Sequence, residues 1–140
     1  MNEIALGLAW INATLMGDST MVALTPGGFH RAMAPPDTAT PFVMYAWQSG
    51  ADTTTANAFR LLSELTFQIR AVGPVSDMAS VMAVASQIDT LFGGPTSGIT
   101  TGGIIDACYR QSPVMFDELV SGKQWSNIGG LYRLEIQRSS

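Results

Sequence analysis

The stretch LLSELTFQIRAVGPVSDMASVMAVASQIDTLFGG, residues 61–94, changes its hydrophobic period halfway. In its first part Leu65, Phe67, Ile69 and Ala71 alternate with Glu64, Thr66, Gln68 and Arg70. A period of two with one apolar and one polar side predicts a strand with one wet face. Pro74 ends it. Beyond Pro74, the residues Met78, Val81, Met82, Ala85, Ile88 and Phe92 recur at 3.6 spacing, which predicts a helix. Ser76 is the expected N-cap, Asp77 suits the positive helix end, and Gly93 and Gly94 stop the helix. The small residues Ala79, Ala83 and Ala85 allow close approach to a sheet. A half-wet strand feeding a helix with an apolar stripe predicts a sheet layer under a helix layer.

Working outward, Ile4, Leu8, Ile11 and Leu15 predict a first helix over 2–17, with Asn2 as cap and Gly17 as stop. Residues 21–24 fit a short helical turn or strand, and TPGG (25–28) is a turn. Residues 29–41 read as a short strand and an extended loop, because Pro35 and Pro36 forbid a helix. PFVMYAWQSG (41–50) reads as a strand and the polar residues 52–57 as a hairpin loop. Residues 94–103 read as a flexible surface loop. GIIDACYRQSPVMFDEL (103–119) reads as a strand broken at Pro113, SGKQWSNIGG as carrying an exposed turn, and LYRLEIQR (131–138) as a closing half-wet strand. The order α-β-β-β-α-β-β, with short polar turns, predicts a single α+β domain over 1–140. Its form is a twisted, mostly antiparallel sheet with two helices on one face.

One strand does not fit the usual pattern. Along 42–47, Phe42, Met44 and Ala46 face one way and Val43, Tyr45 and Trp47 the other, so both sides are apolar. The expectation is that one side packs on the helices and the Val43, Tyr45 and Trp47 side meets a neighbouring protomer. The alternative is closure within the chain, for instance by the loop 94–103. Trp125, in a polar turn, is a second candidate contact, either a cover over the core edge or an anchor for a partner. Asp52, Thr53 and Thr54, with residues 94–103, are expected to reach a partner protein.

Composition points the same way. Of the 140 residues 46% are apolar and 13% charged, about half the usual charged share. A surface so poor in charge favours a subunit of an assembly. The net charge is −4 and the seven Lys and Arg are scattered. Gripping a nucleic-acid backbone needs clustered cations, so tight or sequence-specific DNA binding is not expected. No apolar run reaches membrane-spanning length, so no membrane association is expected.

The chemistry-bearing residues are few. His30 is the one histidine and Cys108 the one cysteine, so neither an intramolecular disulfide nor a zinc motif is available. No nucleophile elbow occurs, and a triad would need His30 with no marked partner. Cys108 sits in the apolar alternation IIDACY and reads as a small buried hydrophobe. Asp117 and Glu118 are neighbours whose carboxylates do not converge. The glycine-rich segments TPGGFH and GPTSGITTGG lack a phosphate-loop pattern. The expectation is no enzyme activity, no catalytic residues, no metal and no cofactor. A small ligand-binding α+β domain or an enzyme with an unrecognised pocket is the reading from a different class.

Taken together, APPDTATPFVMY, SELTFQIRAV, MASVMAVASQIDTLF and LYRLEIQR, in this order and spacing, resemble the tail-terminator or tail-completion proteins of long-tailed bacteriophages. The carrying residues are Pro41, Phe42 and Val43; Phe67 and Ile69; Ile88, Asp89 and Leu91; and Arg133 to Ile136. The resemblance spans nearly the whole chain. It implies a homo-oligomeric ring, usually a hexamer, that caps the head-proximal end of the tail tube. Such a ring stops tube polymerisation and joins the tail to the head-side connector or stopper, with DNA passing through its lumen. The implied location is the neck of a virion assembled in the host cytoplasm. Another head–tail joining protein is the neighbouring alternative.

Overall fold

A computed structural model describes residues 2–54, 60–94, 96–100 and 102–138. Helices α1 (Glu3–Met16) and α2 (Ser19–Leu24) lead into strands β1 (Phe29–Arg31), β2 (Phe42–Thr54) and β3 (Arg60–Pro74). A 3-10 turn, Val75–Asp77, opens α3 (Met78–Phe92), and β4 (Thr96–Thr100), β5 (Gly103–Val120) and β6 (Lys123–Arg138) follow. The six strands form one sheet in the order β1-β2-β3-β6-β5-β4. All neighbours are antiparallel except β1 and β2. The fold is therefore α+β, as the change of period implies.

Local chemistry explains the ends of the helices. The Ala5 N–H donates to Asn2 Oδ1 at 2.8 Å, and the Met21 N–H donates to Asp18 Oδ2 at 2.9 Å, each satisfying an orphan donor of a first turn. Gln87 of α3 donates to the same Asp18 oxygen at 2.8 Å and ties α2 to α3. Ser76 does not cap α3. It lies inside the 3-10 turn, and Ser80 Oγ donates to Asp77 Oδ1 instead.

All three helices lie on one face. Leu65, Phe67, Ile69 and Ala71 of β3 and Tyr132, Leu134 and Ile136 of β6 form the floor of the core. Leu6, Trp10, Ile11 and Leu15 of α1 and Val81, Val84, Ile88 and Phe92 of α3 form its roof. The stripe on α3 is thus rotated from the expected one: Val84 is buried and Met82 is 55% exposed. Helix α1 approaches both edge strands, β1 and β4, so the sheet curls around it. Gly7 permits that approach, since a Cβ there would lie 2.5 Å from Phe67 Cζ.

Three further expectations need correction. Residues 96–100, expected as part of a loop, are an edge strand, and Gly98 lies against the indole of Trp10, where a Cβ would be 2.6 Å from Nε1. Strand β5 runs unbroken through Pro113, with register shifts at Asp106 and at Gln111. Trp125 lies in a strand, not a turn. The turn of that hairpin is Ser121–Gly122, with φ of 52° and 77°, the left-handed pair a two-residue hairpin requires. Residues 55–57 of the expected hairpin loop lie outside the described residues.

Candidate assembly surfaces

At Phe42, Val43 and Tyr45 the two-faced strand is covered from both sides within the chain. Val43 and Tyr45, 0% and 7% exposed, point to the helices and belong to the core. The expectation that they meet a neighbouring protomer is therefore reversed, because a side chain in the core presents no outer surface. The cause is register: Val43 and Tyr45 pair with Ala71 and Ile69, which share the helix side. The opposite face is covered by the chain's own approach to the strand, not by residues 94–103. Phe42 is 5% exposed, with its ring centroid 5.7 Å from His30 and 6.3 Å from Trp125. The Gly27 carbonyl accepts from His30 Nε2 at 2.7 Å, which fixes the imidazole as part of this cover.

Trp125 is half-buried against Phe42, with the Lys123 ammonium 5.8 Å above its ring. It borders an open recess of about 910 Å³ between the loop 32–40 and the hairpin tip, lined also by Met44, Val72 and Val120. Trp47 sits on the helix side, opposite Phe67, but at the margin, 44% exposed. Asp52, Thr53 and Thr54 complete β2, and their side chains lie outside the described residues. The structure thus separates Trp47 from Trp125: they lie on opposite faces of the sheet.

Sequence reading missed the free edges. Strand β1 covers β2 only at residues 43–45, and β4 covers β5 only at 103–108. Beyond Arg110, whose N–H donates to the Gly93 carbonyl at 3.4 Å, no described strand pairs with the outer side of β5 over 111–120, nor with that of β2 over 46–54. Along β5, Met115, Phe116, Leu119 and Val120 are exposed. An unpaired strand of this length with apolar side chains is a template for another chain unless something covers it. Pro113 was the available signal, since proline within a sheet is confined to edges and bulges.

Several polar groups on the open face are tied to one another. Arg133 pairs with Glu64. Arg70 donates to Asn127 and Gln68 and lies over the Phe116 ring, and Asn127 donates to Glu118. Burial draws the Arg70 pKa down and Glu118 pulls it back. On the helix side Tyr132 donates to Asp89, which also faces Arg110 at 3.5 Å. These are bracing contacts between strands and α3, not converging acid and base. Among the described residues no group of three His, Cys, Asp or Glu is placed to hold a metal ion, and no helix is long and apolar enough to cross a membrane.

Cys108 is fully buried and its Sγ–H points to the Phe92 carbonyl at 3.4 Å. Burial pushes its thiol from an ordinary value near 9 up to about 12. Burial, and then the Asp89 carboxylate, also hold the Tyr132 phenol well above its usual value. Both groups stabilise the fold while neutral. Their contribution is complete below pH 9 and declines as pH rises toward 12, because the unfolded chain ionises first. We expect the urea midpoint to hold from pH 7 to 9 and fall by pH 11, with Cys108→Ala removing part of the fall. Iodoacetamide at pH 8 should leave native Cys108 unmodified and label it after denaturation.

Comparisons place the architecture. No protein-family model and no curated protein matches the sequence. Among solved structures, a chain of the virion of a native gene transfer agent particle matches with a TM-score of 0.77 and 14% identity, over 98% of this chain and 99% of its own. A second solved structure matches with a TM-score of 0.54 and 15% identity, over 97% of this chain and 92% of its own. At these identities the likeness is one of fold, and it runs end to end.

Proposed function

We propose that the chain is a structural subunit of a phage-like particle, acting as the tail terminator. In this reading it forms a six-fold ring on the head-proximal end of the tail tube, stops tube growth and joins the tail to the head-side connector. DNA passes through the lumen without sequence-specific contact. The observation that carries the reading is the end-to-end fold likeness to a virion chain. Two unpaired sheet edges support it, as does a charge-poor sequence that suits an assembled subunit. The open face, where Arg133 pairs with Glu64 and no run of cations occurs, is compatible with a lumen that lets DNA slide. The polar residues from Asp52 onward are the proposed contact to the tube or connector.

Deleting the gene in the strain that makes the particles tests this. The expected result is filled heads beside unattached tails of irregular, excessive length. Tails of normal length that fail to attach would assign the chain to head–tail joining instead. Intact particles of normal yield would remove it from the neck altogether.

A further inference from the structure

The two free edges complement each other. Strand β2 is antiparallel to β3, β3 to β6, and β6 to β5, so β5 runs opposite to β2. When a second copy is placed beside the first in the same orientation, its β2 meets β5 as one more antiparallel neighbour. The free segments lie at opposite ends of the sheet: β1 blocks β2 at the end where β5 is open, and β4 blocks β5 where β2 is open. Joining them staggers successive copies along the strand direction. In a closed array such a stagger appears as strand tilt, as the shear of a barrel does.

The side chains agree with the backbone. Register puts Met115 opposite Ile128, on the helix side with Tyr132, so Met115 and Leu119 share that side. They are 66% and 73% exposed. Met82 of α3, Pro113 and Met115 border a shallow groove between α3 and β5. Trp47, on the other free edge, is also on the helix side and protrudes. One edge therefore offers an aromatic knob, and the other an apolar strip with a groove behind it, on the same face. Pairing β5 with itself is disfavoured. Over residues 114–120 a two-fold pairing sets Asp117 against Asp117, and like charges directly opposite are destabilising. Residues 46–54 carry one charge, Asp52.

We infer that residues 46–52 of one copy add as a strand to residues 112–118 of the next, about 23 Å of contact at 3.3 Å per residue, with Trp47 opposite Asp117 and packed between Met115 and Leu119. This deepens the assembly reading above and rests on it for closure into a ring. The interface is heterologous, so each copy uses both edges and the array closes only if the rotation does.

Cysteine cross-linking tests it. The double variants W47C/M115C and W47C/L119C, treated with a short bismaleimide, should each give a denaturant-resistant ladder. Native Cys108 is buried and serves as background. W47C/F116C should give none, because Phe116 lies on the opposite face with Asn127. Mixing the single variants W47C and M115C should give dimers and nothing larger. Circular dichroism on each variant confirms the fold. No ladder from either helix-side pair, an equal ladder from W47C/F116C, or dimers from M115C alone would overturn the contact. A ladder from protein that forms open filaments would support the contact and sink the terminator reading. Closed rings without cross-links would do the reverse.

Discussion

Phe67→Ala should lower stability by about 3–5 kcal/mol, the usual range for emptying a buried phenylalanine site. Phe67 is 0% exposed at the centre of the sheet and fills the space under Gly7 of α1. For a chain of this length that loss corresponds to a drop of roughly 10–15 °C in melting temperature. It is a large fraction of the 5–15 kcal/mol that usually holds a domain together. The same contact gives a sign test. In the native background Gly7→Ala should destabilise, because its Cβ would lie 2.5 Å from Phe67 Cζ, 2.8 Å from Cε2 and 3.1 Å from Ile136 Cδ1. With Phe67→Ala present that obstacle is gone. Gly7→Ala should then stabilise, since alanine is favoured over glycine inside a helix by about 1 kcal/mol. Thermal melts of the two single variants and the double variant form the cycle. Additive effects would mean that α1 does not rest on Phe67.

Gly129→Ala should be among the most damaging single-methyl changes in the described chain. A Cβ at Gly129 would lie 2.0 Å from the Ile69 carbonyl oxygen and 2.5 Å from Arg70 Cα. Both obstacles are backbone of the central pair β3 and β6, so no side chain can rotate away. The strands would have to part where Gly129 pairs with Arg70. The expected loss exceeds the usual 1–3 kcal/mol of overpacking, and poorly soluble protein is the expected product. Gly130→Ala is the internal control. Its nearest contacts are 3.0 Å to the Ser112 carbonyl and 3.1 Å to the Arg110 and Tyr132 side chains, which can yield. Soluble yield and urea midpoints should rank Gly130→Ala far above Gly129→Ala. Equal behaviour would contradict the close strand approach.

Much of the fold is legible in hydrophobic period. The switch at Pro74 locates β3 and α3, and the Asn2 cap and Gly17 stop locate α1 to within a residue. Period fails where two stripes fit equally well. On α3 it favours Met82, but Val84 faces the sheet, because the helix settles with its β-branched side down. On β2 it distinguishes two faces without saying which one the helices cover. That choice depends on pairing with β3, which is remote in sequence. Strand β4 was invisible because TSGIT has a single large apolar residue, and its place is fixed by Trp10 lying over Gly98.

The candidate site was less legible for the same reason. Trp47 remains where a partner can reach it, whereas Val43 and Tyr45 do not, although all three alternate in the same way. What separates them is their place along the sheet, Val43 and Tyr45 in the core and Trp47 at its margin, a tertiary fact. Free edges are likewise a property of strand order. Sequence shows a strand over 103–119 but not that β4 covers only residues 103–108 of it.

The central claim is that this chain assembles edge to edge into a closed ring that seats on a tail tube. Purified protein mixed with tail tubes from the same particle, viewed by negative-stain electron microscopy, tests it most directly. The account predicts one ring at one end of each tube, lost on Trp47→Asp while the circular dichroism spectrum is unchanged. Tubes with bare ends, or protein bound along their sides, would contradict it.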